Sequence, residues 1–190
     1  AFNSPQLLML SGIGDPELLD QHGIAIKKAL PGVGKNLQDH LFFSVSALAT
    51  VPLANHHLKP FNQLKGLLNY FLFKKGVMTV SPLEAGAFFK INDQSPDPVD
   101  FQLHFAPFHI GNDYQADLYN PDTFPHDSGY TILPTLLKPK SRGYVGLQSA
   151  DPTDAPLINP NFLSHEDDLQ TLLKGAKKTI EIMQSEAFAP

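Results

Sequence analysis

The sequence predicts an α+β fold, a mostly antiparallel sheet with flanking helices. Strand-length apolar stretches recur at "LFFSVSALATV" (41–51), "EAGAFFKI" (84–91), "VDFQLHFAPF" (99–108), "YTILPTLLKP" (130–139) and "GYVGLQSA" (143–150). Pro, Gly or Asp separates each from the next, as turns between strands require. Few helical patterns intervene, so the strands are not joined by regular βαβ crossovers and an antiparallel arrangement follows.

In "AFNSPQLLMLSGIG" Ser4 suits a helix N-cap, Pro5 the first helical position and Gly12 the residue beyond the end. A second short helix follows in "DPELLDQHG", with Asp15 as cap, Pro16 at the first position and Gly23 as closure. "IAIKKAL" (24–30) alternates like a short strand, and "PGVGKNLQDH" (31–40) reads as a glycine-rich turn with little room for regular structure. In "FNQLKGLLNYFLFKKG" (61–76) Phe61, Leu64, Leu67, Leu68, Phe71 and Leu72 fall at helical spacing, and the stripe reads as core. Between Phe108 and Tyr130 lies a polar loop of about twenty residues, a length typical of functional lids. The last helix opens with Ser164 as cap and Glu166, Asp167 and Asp168 in its first turn. Its apolar face is Leu169, Leu172, Leu173, Ala176 and Ile180.

Composition narrows the function. With 42% hydrophobic residues in 190, the chain can bury a sizeable core. Its net charge is −5 with dispersed Lys and Arg, which argues against a nucleic-acid partner. No run of eighteen apolar residues provides a transmembrane segment. Cys is absent, which excludes disulfides, thiolate metal sites and a Cys nucleophile. No Gly-x-Ser-x-Gly elbow occurs, so a Ser-His-Asp hydrolase is disfavoured. Gly32 and Gly34 lack the strand–GxGxxG–helix context of a phosphate cradle and read as a turn between domains.

The polar candidates divide by context. Asn36, Gln38 and Asp39 have the side chains for Asx-type bonds that hold the turn, with a contact to a cofactor as the alternative. His22 and His165 sit at helix ends in solvent. His56 and His57 are adjacent, and neighbouring side chains chelate one ion poorly, so no metal is expected.

Three segments carry a family resemblance. "NSPQLLMLSGIG" resembles the second signature of the glucose–methanol–choline (GMC) family of flavin oxidoreductases. "LPGVGKNLQDH" is similar to its next landmark, and "KPKSRGYVGLQSADPTDAPLINPNFL" with "EDDLQTLLKGAKK" to the opening of its C-terminal region. Together they span essentially the whole chain in the family's order.

The resemblance implies a segment of a two-domain, FAD-dependent alcohol dehydrogenase or oxidase, choline-dehydrogenase-like or related. Residues 1–42 would end a Rossmann-like FAD domain, 43–150 would form the antiparallel substrate domain, and 151–190 would lead back to the FAD domain. It places Ala1, Ser4, Pro5, Asn36, Asp39 and His40 near the cofactor, His40 in a structural hydrogen bond rather than proton transfer. It places Glu84, Phe88, His104 and Phe108 on the substrate pocket, with His109 beside them. Glu84 would meet a cationic alcohol such as choline, or else pair with a neighbouring protein group. The family's GxGxxG and its catalytic His would fall outside this chain, which then holds no catalytic residue. An alcohol and an electron acceptor such as oxygen or a quinone would be its partners, at a cytoplasmic or membrane-peripheral location. A second reading, of another class, is a flavin-free binding module that keeps the sheet.

Overall fold

The computed structural model describes residues 2–113, 115–117 and 120–188. They divide into two compact units, residues 1–40 with 139–169 and residues 41–138 with 170–190.

The first unit opens with α1 (Asn3–Leu10), β1 (Ile13–Gly14) and α2 (Pro16–Gln21). α2 begins as its sequence dictates: the Asp15 carboxylate accepts the Glu17 N–H at 3.2 Å and Pro16 occupies the first turn. α1 differs from expectation, because it starts at Asn3 and Ser4 makes no capping hydrogen bond. Pro5 is tolerated there since the first four N–H groups of a helix lack intrahelical partners in any case. Of the alternating stretch 24–30, only β2 (Lys28–Ala29) is a strand, parallel to β1. Met9, Leu19 and Leu147 form the small core of this unit.

The glycine-rich stretch holds more regular structure than its composition suggests. β3 (Lys35–Leu37) pairs antiparallel with β8 (Gly143–Gly146), which also pairs with β9 (Leu157–Asn159). The entry to β3 needs a glycine: Gly34 has φ +78°, and a Cβ there would lie 2.1 Å from the Val145 carbonyl oxygen. That approach lets the Val145 N–H donate to the Gly34 carbonyl at 2.7 Å. Pairing of β8 with β3 and β9 puts it in the first unit.

The second unit is an antiparallel sheet in the order β4 (Val45–Leu48), β7 (Gly129–Leu136), β6 (Phe101–Ala106), β5 (Ala85–Phe89). One face carries Phe101, Leu103, Ile132 and Leu136, which pack with Leu172 of the helix α4 (Glu166–Met183). α4 buries a different stripe from the one its hydrophobicity suggests. Leu172, Gly175 and Thr179 face in, while Leu173 and Ile180 are half-exposed. Glycine is required at 175 because a Cβ would sit 1.9 Å from Phe101 Cζ. Thr179 can be buried because its hydroxyl donates to the Gly175 carbonyl at 2.8 Å. The start of α4 is set by His165, whose Nδ1 accepts the Asp167 N–H at 3.2 Å, rather than by Ser164.

The helix of 61–76 is present as α3 (Pro60–Phe73), but its apolar stripe is not core. None of its residues is buried.

Candidate functional site

The pleat of the four-stranded sheet leaves a second face, opposite the core, and the register shows what lies on it. Phe88 of β5 pairs with Gln102 of β6, which pairs with Thr135 of β7. In the next row Gly86 pairs with His104, and His104 with Leu133. Glu84 extends the β5 row, its N–H donating to the Phe105 carbonyl at 3.1 Å. Alternation therefore brings Glu84, Phe88, Gln102 and His104 onto one face, across two neighbouring strands.

The chemistry of this face is polar and aromatic. Gln102 Nε2 and His104 Nδ1 lie 3.4 Å apart, which orients both side chains. The cross-strand neighbour of His104 is a glycine, so no side chain covers the imidazole from β5. Phe88 is 62% exposed, an aromatic plane available to an apolar or cationic group. The sequence reading missed Gln102, although its two-residue spacing from His104 in "DFQLHF" marks it.

The rim is built by a pinned loop. Asn55 is fully buried; its amide donates to the carbonyls of His109 (2.8 Å) and Pro125 (2.7 Å), and its Oδ1 accepts the His109 N–H (2.6 Å). Thr131 Oγ1 donates to the Phe108 carbonyl at 2.8 Å and contacts Ser46 Oγ at 2.8 Å. Phe108 stacks on Phe124 with centroids 5.7 Å apart. So the loop of 109–128 is fastened near its two ends, at His109 and at Pro125. On the core side of the same sheet, burial raises the Tyr130 hydroxyl above its ordinary value.

The other predicted residues lie in the first unit. Ser4 is exposed and Pro5 half-buried on α1, while Ala1 falls outside the described residues. Asn36 forms a bulge in β3 at φ +60°, and Gln38 Nε2 reaches its carbonyl at 3.5 Å. Asp39 Oδ1 accepts the His40 N–H at 2.8 Å. Asn36, Gln38, Asp39 and His40 are all exposed. Among the described residues no group of three His, Asp or Glu side chains is placed to hold a metal ion. No helix there is long and apolar enough to cross a membrane.

This fold is the one found in GMC oxidoreductases. The GMC oxidoreductase family models match residues 1–42 and 139–190, and the chain belongs to that family. It is 40% identical over 93% of its length to an alcohol dehydrogenase [acceptor] of Pseudomonas putida. To the mitochondrial choline dehydrogenase of Homo sapiens it is 36% identical over its full length. It spans 31% of the length of each. Among solved structures, a formate oxidase superposes with a TM-score of 0.83 at 24% identity, over 98% of this chain and 36% of that one. An FAD-dependent oxidoreductase from Chaetomium thermophilum gives 0.77 at 21%, over 98% and 37%. These superpositions show the shared fold.

The residues described fit FAD only at its periphery. The turn 31–34 leads into β3 and not into a helix, so it offers no helix N-terminus for a pyrophosphate. The exposed amide and acid groups from Asn36 to His40 fit a hydrogen-bonding edge of the cofactor.

Proposed function

We propose that the protein is an FAD-dependent oxidoreductase acting on an alcohol, with the polar face of its four-stranded sheet as a wall of the substrate pocket. Residues 1–42 then end the FAD domain, 43–150 form the substrate domain, and 151–190 lead back towards the FAD domain. The break between the compact units at 40/41 supports the first of those boundaries. The observation that carries the reading is the gathering of Glu84, Phe88, Gln102 and His104 on one face by strand register.

FAD, when bound, supplies the acceptor for the hydride of the alcohol carbon. Asn36, Asp39 and His40 would meet its polar edge, with Ala1, Ser4 and Pro5 near it. His104 and Gln102 hydrogen-bond and orient the alcohol, Phe88 covers its hydrocarbon part, and Glu84 faces a cationic group where the substrate carries one. Phe108 shapes the rim through its stack on Phe124. The base that takes the hydroxyl proton is not among these residues, and the electrons leave to a separate acceptor. The kinship with alcohol and choline dehydrogenases favours this reading over a flavin-free binding module.

Anaerobic mixing of the holoenzyme with a panel of primary alcohols, choline included, tests it. Bleaching of the flavin absorbance by at least one alcohol is expected. His104→Ala should raise KM by about tenfold, the loss of one hydrogen bond of about 1.4 kcal/mol. A flavin that no alcohol bleaches would overturn the proposal.

A further inference from the structure

α3 is amphipathic the wrong way round for a helix on a protein core. Its small and polar side faces the protein: Asn62 Nδ2 donates to the His56 carbonyl at 2.7 Å and Asn69 Nδ2 to the Lys75 carbonyl at 3.0 Å. A Cβ on Gly66 would touch Val77 at 3.8 Å, so that helix side lies against the following turn. These contacts set the rotation of the helix about its axis. They leave the stripe Phe61, Leu64, Leu68, Phe71 and Leu72 pointing away, with Phe61 78%, Phe71 67% and Leu72 69% exposed. An apolar patch of this extent marks an interaction surface.

Charge identifies what it meets. From residue 59 to residue 83 there are four lysines, Lys59, Lys65, Lys74 and Lys75, and no Asp or Glu. That segment adds +4 to a chain whose net charge is −5. Lys59 precedes the helix, Lys74 and Lys75 follow it, and Lys65 flanks the stripe, so cations border the apolar surface. Lys74 Nζ lies over the Tyr70 and Phe71 rings at 4.8 and 5.6 Å. A second copy docking through the same face would bring like charges together without a compensating acid. Apolar side chains rimmed by lysines suit the boundary between acyl chains and anionic headgroups, with the ammonium groups reaching up to the phosphates.

We propose that the outward face of α3 docks the protein onto an anionic lipid bilayer, lying in its surface without crossing it. Nothing in this geometry depends on which alcohol is oxidised. The test is co-sedimentation of the holoenzyme with vesicles of phosphatidylcholine alone, or of phosphatidylcholine with phosphatidylglycerol, at low and high salt. Binding is expected to the mixed vesicles and to weaken with salt. Phe71→Ser with Leu72→Ser, and separately Lys74→Glu with Lys75→Glu, should each lower the partition at least about tenfold with an unchanged melting temperature. Absence of binding, or binding that neither pair alters, overturns the proposal. So does a melting temperature that falls in Phe71→Ser with Leu72→Ser, because the stripe is then covered by protein.

Discussion

Glu84 shows how a residue can be fixed in position yet free in chemistry. Its N–H is committed to the Phe105 carbonyl, while its side chain is exposed at the edge of the polar face. Glu84→Gln keeps the shape and removes the charge. For a cationic alcohol the loss of binding should be about 1–3 kcal/mol, and for a neutral alcohol of similar size close to nil. Steady-state kinetics on the two alcohols decide it; equal losses would make Glu84 a structural residue. Asn55 is the converse, a buried amide with all its polar atoms engaged. Asn55→Ala strands two carbonyls and one N–H and should cost about 3 kcal/mol in urea unfolding. A cost below about 1 kcal/mol would mean that the loop of 109–128 holds itself. "LANHHL" reads as a loop in the sequence, and nothing local marks Asn55 for burial, because its three partners lie 54 and 70 residues away.

At the scale of the element, α3 and α4 show where periodicity misleads. Both are helices where the spacing of apolar residues puts them. In α4 the buried stripe runs through Gly175 and Thr179, which a hydrophobicity pattern passes over. Gly175→Ala tests the packing. Helix propensity alone would favour alanine by about 1 kcal/mol. Against that, the methyl group would overlap the Phe101 ring, and overpacking costs about 1–3 kcal/mol. A net loss of stability is expected on chemical denaturation, relieved when Phe101→Leu is combined with it. A gain in the single variant would show that Phe101 repacks without cost.

For the whole molecule the two units have different polar fastenings. In the first, Asp168 accepts the N–H groups of Lys140 and Ser141, each at 2.8 Å, and the Ser141 hydroxyl at 2.5 Å. Beside it a hydrogen bond from Lys140 holds the Asp167 carboxyl below its ordinary value, and Thr153 does the same for Asp151. Both carboxylates bind protons less readily folded than unfolded. Their contribution is therefore complete above about pH 4 and is lost as pH falls through the depressed values. The urea midpoint should drop on acidification below about pH 4, and less steeply in Asp151→Asn with Asp167→Asn. A wild-type slope equal to that of the double variant would count against these two groups. At the alkaline end the raised Tyr130 hydroxyl works in the opposite sense. Its contribution is present below about pH 10 and lost as pH rises beyond.

The sequence by itself determined the family, the antiparallel character of the middle segment and the positions of most strands and helices. These follow from signals within a few residues: the two-residue alternation of "DFQLHF", the Asp15-Pro16 cap, and the motifs at the two ends of the chain. It also placed Glu84, Phe88 and His104 correctly on strands or beside them. Only the tertiary structure decided which faces are inside. β3 exists because β8, more than a hundred residues later, supplies its hydrogen bonds, and Gly34 admits the close approach. α3 turns its leucines outward because Asn62 and Asn69 find backbone carbonyls on the inner side. In β3 a backbone ladder between distant segments decides, and in α3 two amide side chains bonded to carbonyls six residues away do; neither leaves a periodic apolar trace in the chain.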